Sequence, residues 1–155
     1  MASLDGRGGS SMKTRDGSAG VRPSRRERFP QLVALVFGAM TVLFGAWAFF
    51  DPRSFFDNVA VFEPFNRHFI HDIGAFQIGL GSVLVLGAIL RDSLQVVLSG
   101  VGVGAVFHVI SHILDRDIGG KPATDIPFFA LTAAILVAAA VARTDTVKTD
   151  RSQGT

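Results

Sequence analysis

Cysteine is absent from the 155 residues. That excludes disulfides, thiolate metal sites, iron–sulfur clusters and thiol redox chemistry within the chain. Charge is missing in a more patterned way. No Asp, Glu, Lys or Arg occurs in residues 30–50, 73–90, 93–114 or 126–141. Apolar content is low before Phe29, where Gly, Ser, Arg and Lys dominate. Such a segment buries too little surface to offset its ordering entropy. A cleavable leader is not expected there, because the basic region is long and no small-residue cleavage site precedes a soluble domain.

What remains is four apolar runs. A bilayer core takes about 20 residues of helix. Pro30 suits a first helical turn and Asp51-Pro52 closes the first run. Asp72 precedes the second run. His108 and His112 are the ionisable residues of the third, and Asp125 serves as N-cap of the fourth with Pro127 in its first turn. A soluble bundle would need a polar stripe on each helix, and these runs carry almost none.

The expected fold is therefore all-α, an integral membrane four-helix bundle. Its helices lie over residues 30–50, 71–90, 93–114 and 125–142, in a domain spanning 30–142. Disordered tails are expected over 1–29 and 143–155. The pI of about 9.7 reflects basic residues beside the first run, so it speaks for membrane orientation and against a nucleic-acid partner. With four spans, one side carries 11 Lys and Arg and the other carries Arg53, Arg67, Arg116 and Lys121. The positive-inside rule puts both termini in the cytoplasm. The segments 51–72 and 115–125 then face outward. Trp47, Phe49, Phe50, Phe55 and Phe56 read as interfacial anchors, and a short surface helix is expected within 55–69.

Small residues should bring membrane helices together. Gly74, Ala75, Gly79, Gly81, Ser82 and Gly87 lie in the second run. Ser99, Gly100, Gly102, Gly104 and Ala105 lie in the third. Only Arg91-Asp92 separates the runs, so the second and third helices are expected to form a tight antiparallel hairpin. Gln77 is expected to make a helix-to-helix hydrogen bond.

All four histidines fall in two short stretches, 66–72 and 108–115. In such a hairpin His71 comes level with His112, His68 with Asp115, Asp72 with Ser111, and Ala75 with His108. Imidazole is the commonest metal ligand, and carboxylates orient it. His68, His71, His108 and His112, with Asp72 and Asp115, form a candidate metal set for a divalent metal ion such as zinc, iron or manganese. No HExxH signature is present. The competing readings are a hydrogen-bond network involving Asn66 and Ser111, and a proton-linked or ligand-binding site. Haem between these helices is disfavoured, since small-residue contact leaves no room for a porphyrin.

The stretch from His71 through Asp72, Gly74, Gln77 and Gly79 to Gly81, with His108, His112 and Asp115, resembles small bacterial four-helix membrane proteins of the DoxX-like type. The resemblance covers residues 30–142. It implies a multi-pass protein of the bacterial inner membrane, and some members are implied to be membrane subunits of quinone-linked oxidoreductases. Three functions stay open. They are an accessory membrane subunit in a homo-oligomer or larger complex, a metal-dependent or redox enzyme using the histidine and aspartate cluster, and a small proton-coupled carrier. The last is weakened by the lack of Asp, Glu, Lys or Arg at mid-membrane depth.

Overall fold

A computed structural model describes residues 25–153, with side chains from Arg28 to Asp145. The described chain is all-helical. Its elements are α1 (Arg25–Phe50), α2 (Pro52–Asn58), α3 (Arg67–Leu90), α4 (Leu94–Leu114) and α5 (Pro122–Gln153). Of these, α1, α3, α4 and α5 are long and apolar enough to cross a membrane. Large apolar side chains cover the outside, with Phe50 81%, Leu114 75% and Phe76 74% exposed, while no polar or charged residue among those described is buried. That inversion suits a lipid solvent.

The helix ends differ from expectation for identifiable reasons. α1 begins at Arg25, so residues 25–29 are helical and Pro30 is an interior, buried position. The expected disordered segment over 1–24 lies outside the described residues. α3 begins at Arg67 because Asn66 caps it, its Oδ1 accepting from the Phe69 amide at 3.1 Å. α5 begins at Pro122, and Asp125 therefore sits in the first turn. The Asp125 carboxylate accepts from the Lys121 amide at 2.7 Å, a side chain reaching back to satisfy an N-terminal donor. The far end runs to Gln153, so residues 143–153 are helical where a tail was expected. No Gly or Pro occurs between Phe128 and Gln153, so neither of the strongest helix-breaking residues interrupts the run.

A segment near Phe55 does form a short helix, α2, but it ends at Asn58. Asp51 caps it, accepting from the Ser54 amide at 3.2 Å. Phe55 and Phe56 are buried against Ala48 and Ile70. They are core residues, in place of the interfacial anchors expected. Trp47 keeps an exposed edge and donates from Nε1 to Ser54 Oγ at 3.2 Å.

The strongest packing joins α1 to α3, followed by α4 to α5, while α3 and α4 touch far less. Along the first seam Gly38 faces Gly81 and Gly45 faces Gly74. In both helices the two glycines are seven residues apart, so they share one face. A Cβ at any of these four would lie 2.6–2.8 Å from backbone atoms of the opposite helix. Only glycine permits that approach, which gains dispersion contacts that lipid cannot supply. Gln31 Nε2 also donates to the Ala88 carbonyl at 3.0 Å across this seam.

The expected α3–α4 hairpin is thus corrected. The two helices meet near their turn, where Gly87 rests against Val97. Further along they part, and Gly79, Gly100 and Gly104 have no atom within 4 Å of where a Cβ would stand. The matched glycine pairs of α1 and α3 give a closer contact than α4 offers. Gly102 alone among the α4 glycines meets a neighbour, Val137 of α5, at 3.6 Å. Two clusters complete the core. Val33, Ala34, Leu84, Ala88, Leu94, Leu98, Leu136, Ala139 and Ala140 fill the end near the α3–α4 turn. Ala48, Phe55, Phe56 and Ile70 fill the end near α2.

Candidate functional site

All four histidines lie toward the end that carries α2 and the two longer loops. Those loops are tied together. The Gly120 amide donates to the Val61 carbonyl at 3.0 Å. Lys121 Nζ reaches the Asn58 carbonyl at 3.3 Å. Gly119, at φ +151°, lets Phe62 and the Val61 carbonyl approach within 2.8 and 2.9 Å of its missing Cβ. Phe62 thereby lies over the end of α4, at 6.5 Å between ring centres from His112.

On α4, His108 and His112 stand one turn apart with ring centres 4.8 Å apart. Phe129 of α5 fits against both. It meets His108 edge-on at 4.4 Å and stacks on His112 at 4.7 Å, the planes 29° apart. A half-open cavity of about 50 Å³ lies beside His112, lined also by Phe62, Ser111, Asp115, Arg116, Gly119 and Pro122. Asp115 ends α4 as its C-cap, its amide donating to the Ser111 carbonyl at 2.9 Å. The Ser111 hydroxyl donates to the His108 carbonyl at 2.8 Å, so it serves the helix and not an imidazole.

On α3 the histidines find other company. His71 packs on Phe49 of α1, ring centres 5.3 Å apart. His68 is exposed, with Nε2 3.6 Å from Asp72 Oδ2 one turn on. Asn66 is occupied as the α3 cap. The six residues of the expected metal set therefore share one end of the bundle but fall into two groups. His68 and Asp72 pair on α3, and His108 and His112 pair on α4 with Asp115 nearby. His71 turns to α1 and His112 to α5. Among the described residues, no three His, Asp or Glu side chains come close enough to hold one ion.

The arrangement offers two imidazoles packed on Phe129, with Phe62 over His112, beside a small cavity of mixed polar and apolar lining at a helix end. Phe62 and Phe129 were not singled out in the sequence, and Phe49 was read there as an interfacial anchor and not as a partner of His71. The signal for Phe129 was weak: a Phe-Phe pair early in the last apolar run, at the depth of the α4 histidines.

Compared with family models, with curated proteins and with solved structures, the chain matches none.

Proposed function

We propose that this chain is an accessory subunit of a larger membrane assembly and that α4 docks a transmembrane helix of another subunit. The single observation that carries this is the state of Gly100 and Gly104. Every glycine of the α1–α3 seam is filled by the opposite backbone, yet these two, one turn apart, face open space. Exposed Val96, Val103 and Phe107 flank them. Small residues spaced by four are how membrane helices approach closely. Leaving them open to lipid forgoes that contact, and it also retains the conformational cost of glycine in a helix, about 1 kcal/mol each.

Both termini are proposed to be cytoplasmic and the membrane the bacterial inner one. The excess of 11 Lys and Arg over 4 supports the orientation. The resemblance to DoxX-like proteins supports the membrane and the accessory role. The α2 end then faces outward, with the histidine and phenylalanine cluster at its rim.

A photo-crosslinking residue at position 104, used in native membranes, tests the proposal. It should form a discrete polypeptide adduct, at twice the mass of the chain if the partner is a second copy. The same residue at Leu43, 68% exposed on α1, should not. Equal labelling at both positions would rule out α4 as the docking face.

A further inference from the structure

The spanning helices are joined unequally at their two ends. Near the α3–α4 turn, one buried cluster takes Val33 and Ala34 from α1, Leu84 and Ala88 from α3, Leu94 and Leu98 from α4, and Leu136, Ala139 and Ala140 from α5. Every spanning helix contributes, so this end is a single core. Arg143 Nη2 also donates to the Arg91 carbonyl there, at 3.2 Å. At the opposite end the buried cluster holds Ala48, Phe55, Phe56 and Ile70. It draws on α1, α2 and α3 and on no residue of α4 or α5.

A strap of loop on loop joins the α1–α3 pair to the α4–α5 pair at that end. The Gly120 amide donates to the Val61 carbonyl at 3.0 Å, and Lys121 Nζ donates to the Asn58 carbonyl at 3.3 Å. Phe62 adds a half-buried ring, 2.8 and 3.1 Å from where Cβ atoms of Gly119 and Gly120 would stand. Both glycines hold positive φ, +151° and +73°, a backbone that a side chain would strain. Phe62 is also the one wall of the His112 cavity that the first pair supplies. The other six lining residues all fall within 111–122.

We infer that α1–α3 and α4–α5 are two arms that pivot on the shared core, and that segments 58–62 and 119–121 form a latch closing them over the cavity beside His112.

Each arm is stiff in itself. In the first, Gly38 meets Gly81 and Gly45 meets Gly74 backbone to backbone. In the second, Phe129 of α5 packs on both His108 and His112 of α4. Hinge motion of packed units is absorbed by a few residues at element ends, and the α3–α4 turn carries Arg91 at φ +45°. From Leu98 in the core to Leu114 at its end, α4 is about 24 Å long, so a tilt of about 10° carries that end about 4 Å. Such a displacement breaks both latch hydrogen bonds and draws Phe62 off His112. It costs two exposed hydrogen bonds and one half-buried ring. Parting the other end would expose nine buried residues, so the latch end is the one that opens.

The test is spin-label distances by electron paramagnetic resonance on the full chain in lipid nanodiscs, which the lack of native cysteine makes direct. Three pairs of exposed positions serve. Phe69→Cys with Leu114→Cys spans the arms at the latch end. Leu90→Cys with Val141→Cys spans them at the core end. Leu43→Cys with Phe76→Cys lies within the first arm. Adding Phe62→Ala and Lys121→Met should lengthen the first distance by about 4 Å and leave the other two unchanged. A milder measurement uses Lys121→Met alone. Modification of His112 by diethyl pyrocarbonate, read by mass spectrometry, should quicken roughly threefold, while exposed His68 reacts as in the wild type. An unchanged first distance would overturn the inference, and so would an unchanged His112 rate in Lys121→Met. Should all three distances lengthen, the double variant has lost its fold and the Lys121→Met rate decides.

Discussion

Gly45 and Gly74 face each other so closely that a Cβ built on either would stand 2.8 Å from the carbonyl oxygen of the other. The relation is reciprocal, and Gly38 and Gly81 repeat it, at 2.8 and 2.6 Å. Backbone-to-backbone contact of this kind brings Cα–H groups against carbonyls and adds many weak attractions. It makes α1 and α3 the rigid pair on which α2 and the second pair are assembled.

Substitution should read this seam directly. Gly45→Ala and Gly74→Ala force the backbones apart and are expected to cost about 1–3 kcal/mol each, the usual penalty of overpacking. Gly79→Ala has open space and should be neutral, or stabilising by up to about 1 kcal/mol through helix propensity. Reversible unfolding in mixed detergent micelles measures both. A loss at Gly79 equal to that at Gly45 would contradict the packing.

Two glutamines of the same seam should behave oppositely. Gln31 donates across it to Ala88, and Gln31→Ala should cost about 0.5–1.5 kcal/mol. Gln77 was expected to bridge helices, yet its Oε1 is buried without a partner among the described residues. Gln77→Leu removes an unpaired acceptor and should leave stability unchanged or raise it. The same unfolding assay distinguishes them, and a large loss in Gln77→Leu would reveal a hydrogen bond or ligand contact at that site.

The histidines of α4 gain their order from Phe129. Phe129→Ala should cost about 0.5–1.5 kcal/mol for the lost ring pairs in addition to its burial. It should also shift the imidazole proton resonances of both His108 and His112 while leaving those of His68 in place. Nuclear magnetic resonance of histidine-labelled protein reads this, and an unmoved His108 would argue against the cluster.

Metal content follows from the same geometry. The candidate ligands sit in separate pairs, so elemental analysis of purified protein should find sub-stoichiometric zinc, iron and manganese, unchanged in His112→Ala. One equivalent of metal lost in that variant would instead revive the metal set expected from the sequence.

The membrane fold was legible because it depends on the distribution of charge, and the helix count follows from four uncharged runs of spanning length. Helix ends were less legible. Asn66 and Lys121 set two of them through local hydrogen bonds that composition does not reveal, and the lack of a breaker after Pro127 carries α5 to Gln153. Neighbour choice was the main difference. The short Arg91-Asp92 turn suggested that α3 pairs with α4, yet turn length fixes only the ends of two helices. The deciding pattern was the equal seven-residue spacing of Gly38 and Gly45 and of Gly74 and Gly81. The histidine set rested on the same pairing, because it assumed that the hairpin face and the histidine face coincide.

Cysteine cross-linking in this cysteine-free chain tests the pairing most directly. The variant carrying Phe49→Cys and His71→Cys places its two thiols where ring centres lie 5.3 Å apart. The variant carrying His71→Cys and His112→Cys places them on the pair of helices that diverge. A short thiol-reactive linker in membranes should join the first pair rapidly and the second slowly. Faster joining of residues 71 and 112 would contradict the α1–α3 seam and restore the histidine site between α3 and α4.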